Sequence, residues 1–153
     1  MSEPIAVRPL RREDHAAWLR LWDGYNAFYG RTGVTALAPQ ITQTTWLRLF
    51  DAYEPMHALV AERDAVLLGL VHYLFHRSTI HLTPVCYLED LYTLESARGQ
   101  GVARALIEAV YGCARAAGVD SVYWQTHESN TAAMRLYDKM ATRFGFIVYD
   151  KVL

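Results

Sequence analysis

Apolar residues recur at helical spacing in the first third of the chain. A short strand is predicted at 5–10, and acidic residues at 13–14 suit the first turn of a helix. Trp18, Leu21, Trp22 and Tyr25 then fall on one helical face. Gly30 and Gly33 would end that helix. After a loop at 31–41, the pattern predicts a second, shorter helix at 43–52.

The pattern changes to strand spacing from residue 57 onward. Two runs, 57–62 and 66–75, predict a hairpin that turns at 63–65, and a further strand at 85–94 follows Pro84. A helix at 101–117, a strand at 121–126, a helix at 130–144 and a strand at 146–151 complete the prediction. The strand–helix–strand succession indicates a parallel crossover, and the hairpin ahead of it makes the sheet mixed. We therefore expect a single α/β domain over 1–153, with a mixed sheet flanked by helices.

Composition narrows the class of function. Hydrophobic residues make up 52% and charged residues 20% of the 153, as in ordinary globular domains. The formal net charge of -1 argues against broad nucleic-acid binding, which usually needs a basic excess. No apolar run approaches the ~18 residues that a membrane helix needs. We expect no nucleic-acid or membrane partner.

The two cysteines and the start of the chain suggest a location. Cys86 and Cys113 form no C-x-x-C pair, and we interpret both as reduced packing residues of a cytoplasmic protein. A catalytic thiol is the minority interpretation. The first residues become charged before any apolar run, unlike a signal peptide.

A glycine-rich break interrupts the chain where the 101–117 helix should begin. Gly99 and Gly101 have no side chains and therefore expose the backbone at a helix N-terminus. Unpaired N–H groups and the helix dipole favour the binding of phosphate there. Arg98 and Arg104 flank the break and could add charge-assisted hydrogen bonds. A tight turn without ligand is about as plausible from two glycines alone. The spacing lacks the G-K-[ST] of a Walker loop, and Arg104 stands where a G-x-G-x-x-G motif needs glycine.

The segment R98-G-Q-G-V-A103 resembles the phosphate-binding signature of the GNAT superfamily of N-acetyltransferases. YLEDLYTLESARGQGVARALI resembles the diamine acetyltransferase branch, and SVYWQTHESNTAAMRLYDKMA and GFIVY resemble relatives described as histone or polyamine acetyltransferases. The similarity is close over about 85–153. Ala141 departs from the glycine that many members have after the final helix. The resemblance implies acetyl-CoA as co-substrate and a homodimer, and we expect no metal.

The resemblance also implies how the coenzyme is held. The loop of Arg98, Gly99, Gln100, Gly101, Val102, Ala103 and Arg104 would bind its pyrophosphate. Backbone groups of Leu91, Tyr92 and Thr93 would bond the pantetheine arm and polarise the thioester carbonyl. Asn130 would contact the same arm. Taken without the resemblance, Asn130 is more simply a helix cap.

Two acids interrupt the strand at 85–94. A lysine-like amine has a pKa of about 10.4, so keeping it neutral at pH 7 costs about 4.6 kcal/mol. A carboxylate in a partly dry pocket can accept that proton, directly or through a water. Glu89 and Asp90 alternate in direction on a strand, so at most one faces a given cleft. The alternative is that both acids are purely structural and paired with other groups. The resemblance implies that Glu89 is the base. It leaves two roles open for Asp90, which could attract a cationic amine or support the strand.

Tyr137 lies seven residues after Asn130, on the same helical face. The resemblance implies that its hydroxyl protonates the departing thiolate, whereas the sequence alone favours a core aromatic. Protonation of a thiolate by an unshifted tyrosine is uphill by roughly 2 kcal/mol, which is tolerable. The amine would attack directly within a ternary complex.

The acceptor side is less defined by the sequence. The resemblance directs attention to the first helix and the loop after it, where Tyr29 could cradle an ammonium group by cation–π attraction. His72 and His76 could share a strand face, but no third metal ligand is in view. We predict an acetyl-CoA-dependent N-acetyltransferase acting on a primary amine, whether polyamine, small amine, amino acid or protein lysine. A non-catalytic acyl-CoA-binding or sensing domain, or an unliganded structural module, is the alternative.

Overall fold

A computed structural model of the chain describes residues 3–153. The strands are β1 (Ala6–Pro9), β2 (Met56–Arg63), β3 (Val66–His76), β4 (Val85–Thr93) and β5 (Val122–Tyr123). The helices are α1 (His15–Phe28), α2 (Pro39–Arg48), α3 (Val102–Ala116) and α4 (Thr131–Met140). Short 3-10 turns lie at Arg12–Asp14, Gly33–Thr35 and Glu95–Ala97.

The strands form one five-stranded sheet in the order β1-β2-β3-β4-β5. The first four pair antiparallel, and β5 pairs parallel with β4 after the crossover through α3. The β2–β3 hairpin turns at Asp64 and Ala65, which both have positive φ, as a two-residue turn between twisted strands requires. The expected mixed α/β sheet flanked by helices is confirmed.

The helices bury apolar side chains on both faces of the sheet. On one face, α1 packs Trp18, Leu21 and Trp22 against Val60 and Leu70. On the other, α3 carries a stripe of buried residues at helical spacing: Val102, Leu106, Ile107, Val110 and Ala114. The sheet is therefore the middle of three layers, and its β4 strand lies beneath the start of α3.

Close packing sets the position of the start of α3. A Cβ at Gly69 of β3 would lie 2.8 Å from the Val102 side chain and 2.8 Å from the Tyr92 carbonyl oxygen, so only glycine allows this approach. At the other end, Gly118 has φ +74°, and Val119 N donates to Ala114 O at 2.8 Å. This capping closes the helix as the sequence predicts.

The structure corrects the last predicted elements. The second helix is Pro39–Arg48 rather than 43–52, β5 has only two residues, and α4 ends at Met140 rather than 144. The strand predicted at 146–151 is absent from the described residues, where all of 141–153 is exposed. The chain becomes extended at Ala141, with φ -152° and ψ 174°, and the following residues meet no strand to pair with. None of the helices in 3–153 combines the length and apolar character needed to cross a membrane.

Candidate active site

The strands β4 and β5 separate halfway along the sheet. They pair only at Cys86–Val122 and Tyr87–Tyr123, whereas β4 continues to Thr93 with β3 as its partner. From Leu88 onward, the side of β4 that faces β5 has no strand beside it in the described chain. The separation opens a cleft between the second half of β4, α1 and α4.

A narrow cavity at this separation brings Glu89 and Tyr137 together. The same cavity includes Tyr29, the residue predicted for the acceptor side. Its walls combine the end of α1, β4 and α4, and are formed by Tyr25, Tyr29, Leu88, Glu89, Leu91, Trp124, Gln125 and Tyr137. Three residues predicted from separate parts of the sequence thus face one space, although their catalytic roles stay predictions.

Glu89 owes its orientation to an irregularity in β4. The β3–β4 register pairs His72 with Asp90 and Tyr73 with Leu88, which leaves Glu89 as the extra residue of a β-bulge. Partial burial, followed by the negative charge of Asp90, raises the pKa of Glu89 above its usual range. Of the two acids, only Glu89 lines the cavity. A carboxylate with a raised pKa is better matched to accepting a proton near neutral pH.

Tyr137 projects from the middle of α4 toward the β4–β5 separation. Its ring meets Trp124 edge to face, with 5.5 Å between the ring centres. Burial raises the pKa of Tyr137 to about 12. The phenol therefore keeps its proton at neutral pH and can donate it. This is the state that a general acid needs.

Asp90 is held by a buried hydrogen-bond chain that the sequence analysis missed. Trp18 Nε1 donates to His72 Nε2 at 3.0 Å, and His72 Nδ1 lies 2.9 Å from Asp90 Oδ2. Since an indole N–H can only donate, His72 must accept at Nε2 and carry its proton at Nδ1, facing Asp90. The sequence offered a signal in a histidine on a buried strand, but not its partners.

Asp90 acts on the two tyrosines at the end of α1. Its charge contributes, after burial, to raising the pKa of Tyr25 and of Tyr29. Both hydroxyls therefore stay protonated. The structure thus places Asp90 behind the cavity wall, in contact with His72, rather than among the residues that line the cavity.

Arg31 stands at the tyrosine side of the cavity and was also missed. Its guanidinium lies 5.4 Å from the ring centre of Tyr29 and 5.7 Å from that of Tyr25. Its Nε donates to Oδ1 of the buried Asn26 at 2.7 Å, which fixes the group. No carboxylate of residues 3–153 lies within salt-bridge distance of it.

The glycine loop has the geometry needed for a phosphate. Gly99 and Gly101 have φ of +74° and +86°, and a Cβ on either would meet no atom within 4 Å. The first backbone bond of α3 runs from Ala105 N to Gly101 O at 3.0 Å. The N–H groups at 102–104 meet no acceptor among the described residues. A pyrophosphate fits this open end of the helix.

Side chains around the loop are partly tied to the protein. Gln100 accepts a hydrogen bond from Arg63 at 2.6 Å and donates one to Ser96 O at 3.2 Å. The first of these bonds links the β2–β3 hairpin to the loop. Arg104 lies 3.9 Å from Glu108. The guanidinium of Arg98 lies 5.9 Å from the ring centre of Phe28 and bonds Thr93 O at 3.4 Å. The two flanking arginines keep donors available for an anion.

The other predicted coenzyme contacts lie along the same cleft. Leu91, Tyr92 and Thr93 lie on the part of β4 beyond its pairing with β5. Asn130 is at the N-terminus of α4 without capping it through its side chain, and its amide donates to Thr126 at 3.2 Å. The coenzyme roles of these residues stay predictions. Residues 3–153 contain no cluster of three or more His, Cys, Asp or Glu suited to a metal ion.

Comparisons with known proteins identify relatives of this chain. A profile of the acetyltransferase (GNAT) family matches residues 16–141. The D-amino-acid N-acetyltransferase HPA3 of Saccharomyces cerevisiae is 33% identical over 99% of this chain and 92% of its own length. The mycothiol acetyltransferase of Thermomonospora curvata is 31% identical over 86% of this chain, which spans 42% of that protein.

Solved structures share the fold at lower identity. The ribosomal-protein-alanine N-acetyltransferase of Brucella melitensis biovar Abortus 2308 superposes with a TM-score of 0.78 at 19% identity, covering 99% of this chain and all of that one. AAC(6')-Iy, solved with the bisubstrate analog CoA-S-monomethyl-acetylneamine, gives a TM-score of 0.81 at 18% identity over 99% and 100% of the two chains.

Proposed function

Because the chain belongs to the acetyltransferase (GNAT) family and is an N-acetyltransferase, we propose that its co-substrate is acetyl-CoA. The acceptor of the acetyl group is the α-amino group of a free amino acid. The observation that carries this proposal is the single cavity lined by Glu89, Tyr137 and Tyr29. The joint lining of this small cavity by Glu89 and Tyr137 supports a reaction in which the first accepts a proton and the second donates one.

Acetyl-CoA supplies an activated acetyl thioester, and residues of this chain accept and donate the protons that move during the transfer. Glu89 takes a proton from the incoming ammonium group, directly or through a water, so that the amine can attack within a ternary complex. Tyr137 gives its proton to the departing sulfur. Main-chain N–H groups at 91–93 hold the thioester end, and Gly99 and Gly101 leave the backbone free to bind the pyrophosphate.

Arg31 supports an acceptor that carries a carboxylate. It presents a fixed positive charge beside Tyr25 and Tyr29, with no acidic partner of its own in residues 3–153. A carboxylate can pair with this guanidinium while the neighbouring amine faces Glu89. A polyamine would instead meet a like charge. The yeast relative named for D-amino acids supports the same substrate class; the motif-level resemblance to the polyamine and histone branch stays a prediction.

Two further properties belong to the proposal. Cys86 is buried and free, and Cys113 is also free, which suits a reducing compartment and supports a cytoplasmic location. A homodimer is supported by the exposed apolar residues that follow Met140.

The proposal is tested by incubating the protein and acetyl-CoA with D- and L-amino acids, spermidine and a lysine-containing peptide, and following release of the free thiol. Faster release with free amino acids than with the other two acceptors is expected. A thermal shift with CoA, measured first, establishes that the coenzyme binds. Coenzyme binding without acetylation of any amine would overturn the catalytic assignment; preference for spermidine would overturn the role of Arg31.

A further inference from the structure

Two stacked tyrosines lie on the sheet next to Glu89, outside the cavity already described. Tyr87 of β4 and Tyr123 of β5 are register partners, and their rings are parallel to within 20°, with 4.9 Å between the ring centres. His76 of β3 meets Tyr123 edge to face, with 5.7 Å between the ring centres. We call these three residues the aromatic shelf. His76 is exposed, Tyr123 is 37% exposed and Tyr87 is half-buried, so ring surface is left for a ligand.

The aromatic shelf lies on the face of the sheet that carries α1. Leu88 packs into the core under α3, so Tyr87 before it points to the opposite face, where α1 lies. Val122 packs on the α3 side as well, which turns Tyr123 toward the α1 face. Two residues along a strand span about 7 Å. The ring of Tyr87 therefore begins within the reach of a substrate side chain from Glu89.

The charge of Glu89 acts on both tyrosines of the aromatic shelf. Burial, followed by the negative charge of Glu89, raises the pKa of Tyr87 above its usual range. Burial, followed by Cys86 and then Glu89, raises the pKa of Tyr123 in the same way. Both phenols keep their protons at neutral pH. The aromatic shelf therefore offers uncharged ring surface close to the carboxylate that is predicted to receive the amine.

His76 holds the ring of Tyr123 in place. Its Nδ1 lies 2.9 Å from the carbonyl oxygen of Arg77, and its Nε2 lies 2.7 Å from the hydroxyl of Tyr123. Since a carbonyl oxygen can only accept, Nδ1 carries a proton, and in the neutral ring Nε2 accepts a hydrogen bond from the tyrosine. Because β4 lies between β3 and β5, this bond fixes the Tyr123 side chain across β4, beside Tyr87.

We propose that the aromatic shelf binds the side chain of the acceptor amino acid and makes aromatic amino acids the preferred substrates. This inference rests on the proposed function, in which the α-amino group meets Glu89 and the carboxylate meets Arg31. The guanidinium of Arg31 lies over Tyr25 and Tyr29, so the aromatic shelf stays free for the third substituent of the α carbon. Tyrosine rings favour an aromatic side chain through stacked or edge-to-face contact, whereas a charged side chain would lose hydration there.

The preference of the wild-type protein is measured as the ratio of kcat/KM for phenylalanine to kcat/KM for alanine, with both the D and the L forms assayed by thiol release. We expect a ratio of about 10 or more for the form that reacts faster, with leucine between the two. Equal values for phenylalanine and alanine would overturn the role of the aromatic shelf and leave the acetylation of amino acids standing. Acetylation of no amino acid would overturn the proposed function and this role with it.

Variants of Tyr123 test whether the preference comes from the aromatic shelf. Tyr123→Ser removes the exposed ring and should lower the phenylalanine-to-alanine ratio about 10-fold, whereas general damage to the cavity would slow both reactions alike. Tyr123→Phe loses only the hydrogen bond to His76 and should keep most of the ratio.

Tyr53→Ser is the matched control, because this tyrosine is 99% exposed and does not line the cavity; it should keep the whole ratio. If circular dichroism shows that Tyr123→Ser does not fold, Tyr123→Leu removes the same ring and keeps an apolar side chain in β5. A folded Tyr123→Ser or Tyr123→Leu protein with the wild-type ratio would overturn the proposal.

Discussion

The Nδ1 atom of His72 lies 2.9 Å from Oδ2 of Asp90, inside the sheet and directly behind the cavity that Glu89 lines. Trp18 fixes the other ring nitrogen as an acceptor. The histidine thereby presents a proton to the carboxylate whose charge helps to raise the pKa of Glu89. A core hydrogen-bond chain is thus linked to the predicted catalytic base.

Replacement of His72 should cost stability because it leaves two buried polar groups without partners. Each unsatisfied group costs about 1–3 kcal/mol, so His72→Leu should lower the free energy of unfolding by roughly 2–6 kcal/mol. Urea unfolding measures this value. His76→Leu is the matched control: it lies on the same strand but is exposed, so it should change the value by less than about 1 kcal/mol. Equal effects would contradict a buried network.

The pH dependence of turnover should respond to Asp90. Glu89 must be deprotonated to act as a base, so kcat/KM should fall as the pH drops through its raised pKa. Asp90→Asn removes a negative charge that contributes to this rise; the pKa of Glu89 should decrease, and the acidic limb should move to lower pH. The limb should stay in place in Asp138→Asn, whose side chain is exposed on α4. A limb that moves to higher pH in Asp90→Asn would refute the coupling.

A methyl group at Gly101 should weaken coenzyme binding. With φ at +86°, alanine is strained there by roughly 1–2 kcal/mol, and its Cβ would project into the open space proposed for the pyrophosphate. Gly112→Ala provides the comparison, since Gly112 is an exposed residue inside α3 with nothing within 4 Å of the added atom. That change should stabilise the protein by about 1 kcal/mol and leave the Kd for CoA unaltered. Calorimetric titration compares the two, and the same affinity in both variants would rule out the loop as the binding element.

Arg31→Gln should impair acetylation of amino acids selectively. Loss of a hydrogen-bonded ion pair of about 1.5–3 kcal/mol corresponds to a fall in kcat/KM of roughly 10- to 100-fold. Amines that carry no carboxylate should be affected little. The ratio of kcat/KM for an amino acid and its decarboxylated amine measures the effect, with Arg48→Gln, a half-exposed arginine of α2, as control. An unchanged ratio would mean that Arg31 does not bind the carboxylate.

Local patterns predicted much of the fold and the position of the glycine loop. The helical stripe of Leu106 and Val110 and the break at Gly99 and Gly101 each depend on neighbours in the sequence, and these elements formed where expected. The joint position of Glu89 and Tyr137 followed from the family resemblance rather than from spacing, because the two residues meet only through the tertiary fold.

Features that depend on distant contacts were not predictable. The bulge at Glu89 appears only in the register against His72, and the chain from Trp18 to Asp90 joins α1, β3 and β4. Arg31 became a candidate only when its guanidinium was found beside Tyr29. Residues 146–151 have the composition of a strand, but a strand forms only when its backbone pairs with another edge, and these residues do not pair with the free edge of β5.

Turnover of Tyr137→Phe tests the central claim most directly, because the substitution removes only the proposed proton donor. We predict a fall in kcat of about 100-fold or more with an unchanged Kd for CoA, while Tyr53→Phe, at a 99% exposed position, keeps wild-type turnover. A Tyr137→Phe protein that acetylates its amine as fast as the wild type would contradict the account.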